Sequence, residues 1–237
     1  MINLPTNTKK PLSLIYLDAN ATTQVLPQAA SAALSTMETL FGNPSSSHVT
    51  GLQAKQIVDK TRQQAKRIVG ADEGQIIFTS GATEGIQTAI LSALVNAKKT
   101  LNKSLNNKNY SLLYGATEHK AVPESLKHWN EILEINAEIK EIPVDDKGLL
   151  DLEFIAKEVP NALMICTMAV NNETGVYQDI SSLDRTIRAN NPKVAWMVDC
   201  VQALGKTDLS LAQTSIDYAP FSGHKLYAPK GIGFMYV

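Results

Sequence analysis

An α/β fold, with a mostly parallel sheet covered by helices on both faces, is predicted for this chain by three observations. Strand-like apolar runs recur between segments of helical rhythm along nearly the whole sequence. At 237 residues and 44% apolar composition the chain can bury the core of one large domain, and it lacks the polar bias of a disordered one. Small polar or reactive residues follow the apolar runs one after another, and loops beyond the strand ends are where such a sheet carries its site. Twenty-two basic against 23 acidic residues give a formal charge of −1 with no long run of either sign, which disfavours nucleic-acid and membrane-surface binding. The N-terminus lacks the apolar core of a signal peptide and no apolar run is long enough to span a bilayer, so a cytoplasmic location is expected. Cys166 and Cys200 sit inside apolar runs without CxxC spacing and read as buried thiols of a reducing compartment, with no metal site.

Residues 1–13 are polar with two prolines and form a lead-in, so the domain is placed at 14–237. Residues 14–17 read as a short strand, and Asp18-Ala-Asn-Ala-Thr-Thr23 as a small polar loop. A helix is expected over 27–40, opened by Pro27 and stopped by Gly42-Asn-Pro-Ser-Ser-Ser-His48. Apolar residues at Ile57, Val58, Ala65, Ile68 and Val69 predict a helix over 53–69 that Gly70 closes. Then come a strand at 76–79, a turn at Ser80-Gly-Ala-Thr-Glu84, a helix at 86–95 and an exposed, charged connection over 96–109. The alternation repeats with strands at 110–114 and 137–142 and helices at 121–131 and 151–159, the latter capped by Asp151. A strand at 162–168 leads into the polar turn Asn171-Asn-Glu-Thr-Gly175; a helix at 180–189, strands at 194–198 and 216–221, and a last strand at 233–237 follow. No capping helix follows that last strand, so a further segment is expected to complete the sheet.

The chemistry gathers after the strands. Ser80-Gly-Ala-Thr-Glu84 offers backbone N–H groups, hydroxyls and a helix N-terminus to a phosphate, and it is equally an ordinary helix cap. No Walker lysine and no GxGxxG supports ATP or a dinucleotide. Asp199 ends an apolar strand and needs a cationic partner, either a protonated ring nitrogen or a basic side chain. His119 can lie over a ring plane or move protons, or be a satisfied surface histidine, and Asn172 and Gln202 offer amides that meet a ring oxygen or finish a turn. Lys225, in the turn Ser222-Gly-His-Lys225, can anchor a carbonyl-bearing cofactor covalently, with Ser222, His224 and Thr83 on its phosphate. Together these residues meet the demands of pyridoxal 5′-phosphate.

Seven segments carry a resemblance, in order along the chain: Tyr16-Leu-Asp-Ala-Asn-Ala-Thr-Thr23, Phe41-Gly-Asn-Pro-Ser45, Ile77-Phe-Thr-Ser-Gly-Ala-Thr-Glu84, Thr117-Glu-His-Lys-Ala-Val122, Val170-Asn-Asn-Glu-Thr-Gly175, Val198-Asp-Cys-Val-Gln202 and Ser222-Gly-His-Lys-Leu-Tyr-Ala-Pro-Lys-Gly231. The sequence resembles the class V, fold-type I pyridoxal-phosphate enzymes, and among them the NifS/IscS-type cysteine desulfurases. The resemblance implies the large domain of that fold without its small C-terminal domain. It implies Lys225 as the Schiff-base lysine, His119 stacked on the ring and assisting proton transfer, and Asp199 paired with the ring nitrogen. Gln202 and Asn172 would lie on the ring's hydroxyl side, with Ala82, Thr83, Ser222 and His224 on the phosphate. It further implies a homodimer that removes sulfur from L-cysteine, giving L-alanine and a protein persulfide for a sulfur acceptor or scaffold protein in iron-sulfur cluster or thio-cofactor synthesis. The persulfide cysteine and the substrate-clamping arginine of the family have no counterpart in this sequence, so the chain alone is expected to be inactive. A related lyase, acting on selenocysteine or by β-elimination, and an inactive dimerisation or regulatory protein of the same fold are the alternatives. Ala169, Gly85-Ile-Gln87 and Asn20 depart from the family pattern.

Overall fold

The computed structural model describes residues 15–101 and 109–237. The lead-in at 1–13, residue 14 of the expected first strand and half of the charged connection, 102–108, lie outside the described residues. Four parallel strands, β2 (Ser111–Gly115), β3 (Glu138–Ile142), β4 (Ala162–Met168) and β5 (Ala195–Asp199), run in the order β3-β2-β4-β5. A second group, β1 (Ile76–Thr79), β6 (Ala219–Ser222) and β7 (Gly233–Tyr236), runs β1-β7-β6 with both pairings antiparallel. A parallel bridge from Met197 to Tyr218, with Val198 N–H donating to Tyr218 O at 2.9 Å, joins the two groups side by side. The last strand is therefore internal, and residues 233–236 are paired on both sides.

Consecutive strand residues split between two cores, as the period of two requires. Leu113, Ile165, Trp196, Val198 and Phe221 face one side, where α5 (Leu152–Glu158) and α6 (Ile180–Asn190) supply Ile155, Leu183 and Ile187. Leu112, Met164, Cys166, Met197 and Met235 face the other, against Ile86, Ile90 and Leu94 of α3 (Ala82–Leu101) and Val122 and Leu126 of α4 (Ala121–Ile132). The predicted cap is in place: the Asp151 carboxylate accepts from Glu153 and Phe154 N–H at 2.9 and 3.0 Å.

Four expectations need correction. Residues 15–17 form no strand; Ile15, Tyr16 and Leu17 are exposed and no sheet edge lies beside them. The segment is held instead further along, where Thr23 and Leu26 N–H donate to His224 and Tyr227 O at 2.9 and 3.0 Å. Helix α2 (Val49–Ile68) starts before residue 53 because His48 caps it, Nδ1 accepting from Gly51 N–H at 3.3 Å. Helix α3 starts at Ala82 and runs to Leu101, taking in the polar turn at one end and part of the charged connection at the other. Ser80-to-Glu84 is thus a helix start, with Ser80 N–H donating to the Glu84 carboxylate at 2.6 Å.

Gly233 marks the tightest junction of the second group. A Cβ there would fall 2.4 Å from Phe221 O and 2.7 Å from Gly81 Cα, both main chain. Since neither atom can swing away, Gly233→Ala is expected to lower stability by about 1–3 kcal/mol through overpacking. Urea denaturation of the two proteins measures it, and equal midpoints would show that the junction yields.

Candidate functional site

Six stretches end at one cavity of about 400 Å³: the turn at 18–21, the start of α3, and the loops after β2, β4, β5 and β6. Ala82, Thr83, His119, Asn172, Asp199, Gln202, Ser222, His224 and Lys225 all line it. Asp18, Asn20, Ala21, Ile86, Met168, Glu173 and Val201 complete the wall.

The floor is acidic and dry. Asp199 is 4% exposed, with Val201 N–H donating to its Oδ1 at 2.9 Å. Burial raises its pKa to about 6, against the pull of that N–H and of Lys225. Glu118 lies near it, with a fully enclosed Oε2 that finds no partner. Burial first, and Asp199 second, hold the Glu118 carboxyl well above its usual range.

At one end, Ser222 Oγ accepts the Ala82 N–H at 2.9 Å, tying the end of β6 to the first turn of α3. Thr83 is exposed there, and His224 Nδ1 sits 3.1 Å from Thr22 Oγ1. Burial, then Lys225 and Lys230, push the His224 imidazole down, so it is neutral above its ordinary titration range. Hydroxyls, an imidazole and a helix N-terminus on one spot suit a phosphate.

Lys225 occupies a 3₁₀ turn directly after β6. Its ammonium donates to Asn20 O and to Ala21 O, the latter at 2.9 Å. Burial lowers its pKa, while Asp18 and Asp199 oppose the shift, so deprotonation is easier than for a solvated lysine. His119, exposed to the cavity, is held by Ala121 N–H donating to Nδ1 at 3.2 Å, and burial followed by Lys120 and Lys225 lowers its pKa, favouring the neutral form. Asn171 is consumed by the turn, giving Nδ2–H to Thr117 O and taking N–H groups of Glu173 and Thr174 on Oδ1, which leaves Asn172 to face the cavity.

Lys206 escaped the sequence reading. Its ammonium donates to Gln202 Oε1 and, at 3.2 Å, to Asn20 Oδ1. The four-residue spacing of Gln202 and Lys206 in a chain of tight turns is the signal that finds it. Cys166 and Cys200 are both free and 0% exposed, and burial pushes both thiols up.

A carbonyl-bearing aromatic phosphate fits this arrangement. The site pairs a lysine of lowered pKa with a buried carboxylate that has one N–H partner, a neutral imidazole and a hydroxyl-rich helix start.

Comparison with known proteins agrees with that chemistry. The model of the family described as aminotransferase class-V matches residues 15–237. Cysteine desulfurase IscS of Klebsiella pneumoniae is 39% identical over 227 residues, 94% of this chain and 53% of the relative. IscS of Pseudoalteromonas translucida is 38% identical over the same shares. A solved NifS-like protein superposes with a TM-score of 0.83 at 32% identity, over 94% of this chain and 58% of that one. SspA in complex with cysteine gives 0.77 at 28% identity, over 94% and 60%. The chain spans about half the length of the curated relatives it matches.

Proposed function

The chain belongs to the class-V aminotransferase family, and from that premise we propose that it is the cofactor-bearing part of a pyridoxal-phosphate-dependent cysteine desulfurase. The carrying observation is the convergence on one cavity of Ser222, His224 and Lys225 from the end of β6, Asp199 from the end of β5 and His119 from the loop after β2. The likeness to cysteine desulfurases supports L-cysteine as substrate of the intact form. Bound pyridoxal phosphate would supply an electron sink for bonds at the substrate's α and β carbons.

The chain's own residues have distinct tasks. Lys225 Nζ, eased toward its neutral form, provides the covalent anchor and then carries the proton at the substrate α carbon. Asp199 holds a ring nitrogen in its protonated state, which requires its own ionised form. His119 moves a second proton from the open side of the cavity. Ser222, His224, Thr83 and the start of α3 hold the phosphate, while Gln202 and Asn172 face the ring's oxygen. Cys166 and Cys200 are too deeply buried, and too weakly acidic, to accept sulfur as thiolates. The sulfur-accepting thiolate is therefore neither of the two, and release of L-alanine with sulfur passed to an acceptor or scaffold protein is proposed for the intact form.

A homodimer is part of the reading. Among the described residues nothing buries α1 (Pro27–Thr39), and Leu26, Leu34, Met37 and Phe41 are exposed along it. Such a face calls for covering by further protein.

The test is reduction with borohydride after pyridoxal phosphate is added, followed by peptide mapping. One cofactor on Lys225 per chain is expected. A label on another lysine, or none at all, sinks the proposal.

A further inference from the structure

Lys206 lies outside the set of residues assigned above, yet it touches two of the cavity's walls. Its ammonium donates to Gln202 Oε1, on the segment after β5, and to Asn20 Oδ1, on the turn at 18–21. Gln202 completes the triangle by donating from Nε2 to Asn20 O at 3.1 Å. That same carbonyl accepts from Lys225.

A side-chain amide can present either its oxygen or its NH₂ group to a neighbour, and nothing in glutamine itself decides which. An ammonium decides it, because it has three donors and no acceptor. Beside Lys206 the oxygen of Gln202 must face the ammonium, so the NH₂ group faces the other way. One of its two N–H bonds goes to Asn20 O, and Gln202, 4% exposed, lines the cavity. What Gln202 can offer a ligand is therefore a donor.

We propose that Lys206 is a positioning residue: it fixes the Gln202 amide so that the cavity receives an N–H, and it pins the turn at 18–21 against the segment after β5. A ligand oxygen that accepts at that point is selected over a ligand lacking it. The inference rests on the cofactor reading for the ligand's identity, which makes that oxygen the ring hydroxyl of pyridoxal phosphate in its ionised form. The pinning of the turn does not depend on the ligand.

Two readouts separate these parts. In the cofactor-free protein, exchange of the Ala21 and Thr22 amides, which donate to Asp18 O, reports the turn. Lys206→Met is expected to speed their exchange about tenfold, the loss of one charged hydrogen bond, with Lys206→Arg restoring it. Binding of pyridoxal phosphate against its 3-deoxy analogue, which lacks the ring hydroxyl, reports the donor. The preference for the natural cofactor is expected to fall about tenfold in Lys206→Met and to return in Lys206→Arg. Lys206 is exposed, so the variants keep the fold, and circular dichroism verifies it. Unchanged exchange together with an unchanged preference in Lys206→Met overturns the proposal. If neither ligand binds the parent protein, the cofactor reading fails, and the exchange rates alone judge the pinning: unchanged rates reject it, faster rates uphold it.

Discussion

Replacing Lys225 by alanine is expected to abolish borohydride-trapped cofactor completely and to cut turnover of the intact protein by about 10²–10⁴-fold, the share of a positioned proton carrier, before the lost anchor is counted. Noncovalent binding should survive, because Thr83 lies on another stretch of the cavity wall and Ser222 and His224, though in the same turn, keep their own ties to Ala82 and Thr22. Fold stability should hardly change, since Lys225 is not deeply buried and the Asn20 carbonyl keeps its bond from Gln202 Nε2. Lys225→Arg sharpens the result. An arginine restores a cation toward Asp18 and Asp199 and can reach the two carbonyls, yet it cannot form the covalent bond. Both variants should therefore lack the trapped adduct, and only alanine should disturb the electrostatics of the floor. Persistence of a trapped adduct on residue 225's neighbours in either variant would count against the assignment.

Asp199→Asn is expected to make the cofactor-free protein more stable while it cripples the chemistry. Burial lifts the folded-state pKa of Asp199 from 3.8 to about 6. Above pH 6 the carboxylate is ionised in both folded and unfolded chains, and the folded chain bears the full burden of keeping it charged in a dry place. That burden is ~3 kcal/mol for a shift of this size. It shrinks as pH falls from about 6 toward 3.8, where the folded state takes up its proton first, and is gone below. Asparagine removes the charge and still accepts the Val201 N–H. The variant's advantage in urea denaturation should accordingly be largest at pH 7.5 and fade at pH 4. Turnover of the intact protein should fall by about 10²-fold or more, because a neutral amide cannot hold a ring nitrogen protonated. A wild type as stable as the variant at pH 7.5 would refute the account of the floor.

The strand and helix alternation was legible because each buried strand is a continuous apolar run between turn residues, and 76–79 and 162–168 read with the structure's own bounds. The nine site candidates were legible because each follows a strand and carries chemistry that a bland turn does not need. Residues 15–17 misled because an apolar run looks alike whether it joins a sheet or lies exposed, and only partners tell the two apart. The starts of α2 and α3 were obscured by polar residues and glycines, Thr50-Gly51 in the first turn of α2 under the His48 cap and Ser80-Gly81 just before α3. The placement of β7 between β1 and β6 could not be read, since pairing partners 154 to 160 positions apart leave no local pattern. Lys206 was hidden for another reason. Its role depends on where an amide 186 positions away in sequence, that of Asn20, comes to rest.

The central place of β7 also sets a clock on biosynthesis. Among the described residues strand β1 pairs with β7 alone, so the strand that leads into the turn at 80–83 stays unpaired until residues 233–236 have left the ribosome, although Ala82 N–H can already reach Ser222 Oγ. By then β2 to β5, whose pairings are parallel and complete among themselves, have had time to assemble. The floor carboxylate at Asp199 is thus laid down early, while the hydroxyls at Thr83 and Ser222 come together last. A nascent chain released before residue 222 holds a charged floor without the hydroxyl and the lysine above it, and one released before residue 233 leaves β1 unpaired, so firm cofactor capture becomes a checkpoint late in synthesis.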